Sequence, residues 1–169
     1  MKNIKDLIAK DGSYQNKSLF WDRDVYNQEL EKIFAKCWLF ISHETLLKKP
    51  GDFIVTNMAE DEVVLVRQKD NSLKVFLNSC SHRGNQVCAA EAGNAKSFVC
   101  NYHGWSYGID GKLVSVPFEN DAYGESFDKC KLGLREIPKV ESYYGFIFAC
   151  MDPDAPDLKD YLGEMAWYM

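Results

Sequence analysis

Residues 80–84 (CSHRG) and residues 100–105 (CNYHGW) are the two stretches that decide the fold of this chain. Each stretch supplies one thiol and one imidazole, from Cys80 and His82 in the first and from Cys100 and His103 in the second. Thiolate sulfur and imidazole nitrogen are common protein ligands of zinc and of iron–sulfur clusters. The repeated pairing of these two ligand types in short loops therefore predicts a metal site.

Two kinds of metal site fit this donor set. A structural zinc accepts two cysteines and two histidines tetrahedrally, whereas a Rieske [2Fe–2S] centre has one iron held by two cysteines and the other by two histidines. A binuclear cluster needs one cysteine and one histidine from each loop, while zinc fingers more often pair like with like. Gly84 and Gly104 would also let the backbone turn tightly and approach the sulfides of a cluster. The spacing favours the Rieske centre and leaves zinc as the alternative.

The sequence around both motifs predicts short antiparallel strands. Patterns of apolar residues predict strands over residues 53–57, 62–68, 73–78, 97–100, 113–116 and 145–151. The strands at 73–78 and 97–100 lead directly into the two motifs, so both motifs lie at strand ends. Many short strands with Gly and Pro turns predict a mainly β fold, an antiparallel β-sandwich with two ligand-bearing hairpin loops.

Helical patterns flank the predicted sheets. At the N-terminus, residues 4–10 predict a short helix, and Asp24 is the expected N-cap of a second helix. The apolar face of that helix is expected to be Tyr26, Leu30, Ile33 and Phe34. Residues 118–130 are polar and turn-rich, which predicts a surface excursion. We expect three segments: an N-terminal helical segment (1–37), a metal-binding domain (38–156) and the start of a truncated catalytic domain (157–169), where a helix begins.

Composition limits the function classes. The 169 residues carry a net charge of −5, which argues against nucleic-acid binding because phosphate recognition needs a basic face. We expect no membrane span and no signal peptide, because no apolar run is long enough for either. Six cysteines are too sparse for a disulfide-stapled secreted domain. We therefore expect a cytoplasmic protein with four free thiols, those of Cys37, Cys88, Cys130 and Cys150.

Both motifs, with the chain around them, resemble the α subunits of aromatic-ring-hydroxylating dioxygenases. The resemblance is to the naphthalene and nitroarene dioxygenase branch, and it extends from about Phe20 to the last residue. It is carried by residues 80–84 and 100–105, with residues 37–40 (CWLF), 91–96 (EAGNAK), 115–119 (SVPFE) and 161–163 (YLG). It implies a Rieske [2Fe–2S] domain with Cys80, His82, Cys100 and His103 as the metal ligands.

The resemblance also implies a role in a larger enzyme. The cluster would pass electrons from a ferredoxin and its reductase to a mononuclear non-haem iron, for cis-dihydroxylation of aromatic hydrocarbons with O₂ and NAD(P)H. That iron uses a two-histidine-one-carboxylate triad, but this chain has three histidines and the cluster uses two of them. No catalytic residue is therefore expected in this chain, which would only transfer electrons. A neighbouring α subunit and a β subunit are the expected partners, and a free-standing Rieske-type ferredoxin is the alternative.

Residues beside the ligands have several possible roles. The residues expected around the cluster are Arg83, Gly84, Tyr102, Gly104 and Trp105. Core packing is an equal interpretation for Trp105. His43 is expected to be structural. The Rieske proteins of respiratory complexes carry a bracing disulfide between the two loops, where this chain has Asn85 and Tyr102. No hydroxyl donor to the cluster is evident in the sequence, so we expect a low-potential centre of the oxygenase type.

Overall fold

The computed structural model describes residues 3–124 and 127–169, and their main elements are ten strands and three short α-helices. The strands are β1 (Leu39–His43), β2 (Asp52–Met58), β3 (Asp61–Arg67), β4 (Leu73–Leu77), β5 (Ala92–Asn94), β6 (Ser97–Val99), β7 (Ser106–Gly108), β8 (Leu113–Ser115), β9 (Lys139–Tyr143) and β10 (Phe146–Cys150). The helices are α1 (Arg23–Glu29), α2 (Glu119–Tyr123) and α3 (Leu158–Leu162). A π-helical turn, Leu30–Phe34, continues α1, and five 3₁₀ turns lie at Ile4–Leu7, Lys17–Phe20, Glu44–Leu46, Lys129–Lys131 and Gly163–Trp167.

Three antiparallel sheets stack around two apolar cores. The first sheet has the strand order β1-β10-β9, the second β4-β3-β2-β5 and the third β6-β7-β8. The second sheet lies in the middle, and its strand β3 shows this most clearly. Val64 and Val66 belong to the core shared with the third sheet, whereas Val63 and Leu65 belong to the core shared with the first. Successive residues of a strand point to opposite faces, so the centre of β3, residues 63–66, is apolar without interruption because both of its faces are buried.

The metal motifs belong to one excursion of the chain from the middle sheet. The chain leaves β4 after Leu77 and returns beside it, where the Leu77 N–H donates to the Arg135 carbonyl at 2.9 Å. The Ile137 N–H then donates to the Val75 carbonyl at 2.8 Å. We call the described residues between these points, 78–124 and 127–134, the ligand lobe. The lobe contains the third sheet and α2, and it returns β5 to the edge of the middle sheet.

The structure confirms the predicted mainly β antiparallel fold, and each predicted strand lies within a residue or two of an observed one. The prediction for the second N-terminal helix was wrong in its N-cap and in the residues that the helix buries. Asp22 is the N-cap of α1, because its carboxylate accepts the Asp24 N–H at 3.0 Å. Val25 is the apolar side chain that α1 buries, whereas Ile33 is 49% exposed. The π turn rotates the second half of this segment away from the face that α1 presents.

The chain after β10 packs back onto the first sheet. The Trp38 indole N–H donates to the Pro156 carbonyl at 2.9 Å, and Leu158 is buried in a small core with Trp38, Cys150 and Ala155. The three predicted segments stay predictions, and the first two residues of the N-terminal segment lie outside the described residues. Within the described part of the chain, no helix is both long and apolar enough to cross a membrane.

Candidate metal centre

The two ligand loops share one backbone arrangement. In the first loop the Gly84 N–H donates to the Cys80 carbonyl at 2.7 Å, and the Cys80 N–H donates to the Asn85 carbonyl at 2.8 Å. The second loop repeats both bonds, from Gly104 to Cys100 at 2.9 Å and from Cys100 to the Trp105 carbonyl at 2.8 Å. Each loop is thus a tight turn that returns to its own cysteine, and each turn ends on a glycine.

The glycines are required by the shape of these turns. Gly84 and Gly104 have φ values of +72° and +74°, a region that side chains with a Cβ disfavour. Gly104 is restricted a second time, because a Cβ there would lie 2.8 Å from Cγ of Pro117. At Gly84 the nearest atom would be Ser79 Oγ at 3.7 Å, so only the backbone conformation restricts that position.

The four candidate ligands meet in like pairs. The Nδ1 atoms of His82 and His103 face each other at 3.2 Å, and both rings are half-buried. Cys80 and Cys100 are 4% and 1% exposed, and their side chains are close enough for Cys80 to lower the pKa of the Cys100 thiol. Among the described residues, no three His, Cys, Asp or Glu side chains surround a single point that could hold one metal ion.

Several N–H groups surround the Cys100 sulfur. Burial alone would raise the pKa of the Cys100 thiol, but the backbone N–H of Tyr102, the Asn85 side chain, Cys80 and the backbone N–H of His103 together lower it. Donors aimed at a sulfur favour its thiolate form, which is the form that binds metal. Burial, and then the neighbouring His103 and Arg83, lower the pKa of His82. A neutral imidazole is likewise the form that a metal needs.

Tyr107 is a side-chain partner of Cys80 that the sequence analysis missed. Its hydroxyl oxygen lies 3.1 Å from Cys80 Sγ and accepts the Ser81 N–H, also at 3.1 Å. Because the oxygen already accepts from Ser81, its own hydrogen is free to donate to a Cys80 thiolate. Burial, and then Cys80, raise the pKa of Tyr107, so the donor stays protonated. This hydroxyl is directed at a ligand cysteine, so the expectation that no hydroxyl donates to the cluster itself stays a prediction.

Tyr107 could have been found by strand alternation. Trp105, Tyr107 and Ile109 are all buried and point inward from the strand that leaves the second loop. A buried tyrosine usually places its hydroxyl on a hydrogen-bond partner, and the nearest polar groups at that end of the strand are in the ligand loops.

Two asparagines fix the first ligand loop and were also missed as functional residues. Asn78 is 5% exposed, and its Oδ1 accepts the N–H groups of Val87 and Cys88 at 3.1 and 2.8 Å. Its Nδ2 donates to Glu62 at 2.6 Å and to the Cys88 carbonyl at 2.7 Å. Asn85 instead reaches the second loop, with Nδ2 at 2.9 Å from Asn101 Oδ1 and 3.6 Å from Cys100 Sγ. Neither role has a signature in local sequence, because both depend on contacts between loops.

Aromatic side chains cover one side of the histidine pair. The Trp105 ring stacks on His82 with a centroid distance of 4.8 Å and an interplanar angle of 8°. Trp105 is itself covered by Tyr123 and Phe127, so the predicted surface excursion 118–130 also shields the site. Residues 125 and 126 of that excursion lie outside the described residues. Trp105 therefore has both of the expected roles, since it packs in the core and excludes water from His82.

The remaining predicted residues lie at the surface or away from the site. Tyr102 is 58% exposed and its ring lies over His103 at a centroid distance of 3.9 Å. Arg83 is exposed. His43 lies outside the ligand lobe, with Nδ1 at 2.9 Å from Thr45 Oγ1 and its ring edge-on to Phe146. The four cysteines outside the motifs are free thiols, as expected.

The residues present fit a [2Fe–2S] cluster. Two facing Nδ1 atoms and two adjoining buried sulfurs match a centre in which one iron takes both histidines and the other both cysteines. The indole N–H of Trp105 is buried with no hydrogen-bond partner among the described residues. An unpaired buried donor of this kind is rare in a native protein and is consistent with an acceptor that the protein atoms alone do not supply.

Comparison with known proteins also indicates a Rieske [2Fe–2S] domain. The family model described as "Rieske [2Fe-2S] domain" matches residues 37–142. The large oxygenase component of the naphthalene 1,2-dioxygenase system of Pseudomonas aeruginosa is 49% identical over 165 residues, and that of the 2,4-dinitrotoluene dioxygenase system of Burkholderia sp. (strain RASC) is 48% identical over 167 residues. The alignments cover 98% and 99% of this chain, which spans 37% of the length of each of these relatives.

Solved structures show the same fold. A naphthalene 1,2-dioxygenase with indole bound in its active site superposes with a TM-score of 0.92 at 49% identity, covering 99% of this chain and 37% of that chain. The apo form of the quaternary ammonium Rieske monooxygenase CntA superposes with a TM-score of 0.81 at 34% identity, covering 89% of this chain and 43% of that chain. The matched model, the relatives and the paired ligand loops agree, and the chain belongs to the Rieske [2Fe–2S] domain family.

Proposed function

We propose that this chain transfers electrons through a Rieske [2Fe–2S] cluster bound by Cys80, His82, Cys100 and His103. The observation that carries the proposal is the pairing of like ligands from two loops of the same backbone shape. The buried cysteine pair would hold one iron, and the half-buried histidine pair would hold the other. A cluster with two imidazoles and two thiolates is neutral when oxidised, so it accepts an electron more readily than one with four thiolates.

The protein residues stabilise charge on the cysteine ligands and orient the histidine ligands. When bound, the cluster supplies a one-electron couple. The N–H groups around Cys100 and the hydroxyl of Tyr107 stabilise negative charge on the two sulfurs. The facing Nδ1 atoms are the histidine atoms suited to bind iron, which leaves each Nε2 as the outer nitrogen. The rings of His82 and His103 are the part of the site nearest to solvent, and an electron donor or acceptor would approach there.

We infer that the complete protein is the α subunit of an aromatic-ring-hydroxylating dioxygenase. Both relatives compared above are large oxygenase components of dioxygenase systems. A ferredoxin and a reductase would deliver electrons from NAD(P)H, and a mononuclear iron outside the present 169 residues would use them with O₂ for cis-dihydroxylation of an aromatic hydrocarbon. A neighbouring α subunit and a β subunit would complete the oxygenase.

The extent of the similarity argues against a free-standing Rieske ferredoxin. The alignment with the naphthalene dioxygenase component covers 98% of the chain, and the family model itself covers only residues 37–142. The N-terminal helices and the segment around α3 are thus part of what the chain shares with an oxygenase component. We propose residues 1–37 as a helical segment, 38–156 as the Rieske domain and 157–169 as the start of the catalytic domain, in a cytoplasmic protein.

Metal analysis and spectroscopy of the purified chain test the cluster. We expect two irons and two acid-labile sulfides per chain, a brown colour and a Rieske-type EPR signal after reduction. A colourless protein with one equivalent of zinc would refute the proposal. The ligand assignment is tested by His82→Cys, which should lower the reduction potential and change the EPR signal, because a thiolate replaces an imidazole. His43→Gln is the matched control, and an unchanged signal in His82→Cys would contradict the assignment.

A further inference from the structure

Asn85 connects the two ligand loops through its side chain. Its Nδ2 atom lies 2.9 Å from Asn101 Oδ1 and 3.6 Å from Cys100 Sγ, both in the other loop. We propose that Asn85 is a positioning residue of the metal centre that raises its reduction potential and slows the loss of its cluster. This inference rests on the proposed function, because it takes Cys100 as a ligand.

The main chain of Asn85 holds this side chain in place. Its carbonyl accepts the Cys80 N–H at 2.8 Å, so the backbone of Asn85 is tied to the first ligand cysteine. Its side chain, which is half-buried, contacts the second ligand cysteine. The Nδ2 atom also lies 2.9 Å from the Gln86 carbonyl, which restricts the rotation of the carboxamide. One residue therefore joins the surroundings of both cysteines.

A donor to Cys100 Sγ has a predictable effect on the redox equilibrium. Reduction adds negative charge to the cluster and its ligand sulfurs, so an N–H group directed at a sulfur stabilises the reduced form more than the oxidised form. Hydrogen bonds to the sulfurs are among the factors that set the potentials of iron–sulfur centres. Loss of the Asn85 donor should therefore lower the potential.

The link to Asn101 has a separate consequence. When fewer contacts join the two loops, thermal motion separates the cysteine of one loop from that of the other more easily. The contact from Asn85 to Asn101 opposes this separation, as a hydrogen bond rather than a covalent bridge. Its loss should speed release of iron to a chelator, and the potential need not change.

Asn85→Leu tests the proposal, because leucine keeps the branched shape and removes the N–H donor. Gln86→Leu is the matched control: it removes the adjacent carboxamide, whose Nε2 bonds to Glu62 and not to a ligand cysteine. At a fixed ambient potential, we expect the ratio of reduced to oxidised cluster to fall about tenfold in Asn85→Leu, equivalent to about 59 mV for a one-electron couple. We expect Gln86→Leu to match the wild type.

Two further variants separate the effect on the potential from the effect on iron loss. Asn85→Asp should lower the potential further than Asn85→Leu, because it adds a negative charge beside the sulfur. Asn101→Ala removes the contact between Asn85 and Asn101 and keeps the Asn85 donor to Cys100, so it should speed iron loss to a chelator. If Asn85→Leu does not fold, Asn101→Ala still tests whether this contact slows the loss of the cluster. Equal potentials and equal iron loss in all variants, with a cluster present, would overturn the inference. A wild-type chain without a cluster would instead refute the proposed function.

Discussion

Tyr107→Phe should lower the reduction potential of the centre and destabilise the first ligand loop. The hydroxyl of Tyr107 is fully buried, lies 3.1 Å from Cys80 Sγ and accepts the Ser81 N–H at the same distance. Phenylalanine keeps the ring and removes both contacts. The variant therefore tests whether this hydrogen bond tunes the centre.

The magnitude follows from the energy of a hydrogen bond to a charged group, about 1.5–3 kcal/mol. If about half of that energy is gained when the electron is added, the reduced form loses about 0.75–1.5 kcal/mol more than the oxidised form. Since a tenfold change in a one-electron equilibrium is about 59 mV, the potential should fall by roughly 30–65 mV. Loss of the part-buried hydrogen bond from the Ser81 N–H should lower the free energy of unfolding by about 0.5–1.5 kcal/mol.

The assay is a mediated redox titration followed by EPR or visible circular dichroism, with urea unfolding of the same samples. Tyr143→Phe is the control, because that hydroxyl donates to the Ala166 carbonyl at 3.3 Å, on the other side of the fold from the ligand lobe. The control should leave the potential unchanged. A Tyr107→Phe variant with full iron content and the wild-type potential would refute the assignment of Tyr107 as a donor to the Cys80 thiolate.

Three further changes test the surroundings of the site. Asn78→Leu should lower the free energy of unfolding by about 3–5 kcal/mol in urea titrations, because two buried N–H groups of the first ligand loop lose their acceptor; a loss below about 1 kcal/mol would contradict the network. Gly104→Ala should reduce the iron content of the purified chain, because its Cβ would contact Pro117 at a φ that disfavours side chains, and wild-type iron content would count against this geometry. Glu44→Gln should flatten the dependence of stability on pH in acid. The hydrogen bond from Ser142, and then Arg67, lower the pKa of Glu44, so its contribution is complete above the ordinary glutamate pKa and is lost as pH falls through the lowered value. Equal urea midpoints of the two proteins across this range would contradict the assignment.

The sequence predicted the sheets well because their signal is local. The continuous apolar stretch in β3 and the turns around it follow from the burial of both of its faces, and no knowledge of the partner strands is needed to recognise it. The two ligand motifs were equally informative, because their cysteines, histidines and glycines occur at fixed spacings in the sequence. Asp24 was predicted as the helix N-cap. Aspartates at positions 22 and 24 are both good N-caps, and only the observed backbone shows that Asp22 has this role.

Other features depend on contacts between distant residues. Asn78 joins β4 to the loop that follows the first motif, and Asn85 joins one motif to the other, so neither has a periodic signal. Within α1 the buried apolar side chain is Val25 and not the predicted Tyr26, and the π turn after Glu29 changes the spacing on which the predicted face at Leu30, Ile33 and Phe34 rested. Tyr107 is the intermediate case: alternation predicts that it points inward, but its partner is known only when the two loops are brought together.

The route of the chain through β4 has a consequence for protein engineering. The ligand lobe begins after Leu77 and ends before Arg135, and Leu77 of β4 is a hydrogen-bonded neighbour of Arg135 in the returning chain. Two adjacent chain crossings and the pairing of β5 on β2 attach the lobe to the middle sheet, together with a shared apolar core and the hydrogen bond from Gln68 Nε2 to the Ile109 carbonyl. The lobe is therefore a continuous insertion whose apolar face is covered by the middle sheet. To display the two ligand loops, a host sheet would need two neighbouring chain segments that receive the ends of the lobe, an edge that pairs with β5 and an apolar face that covers the core of the lobe.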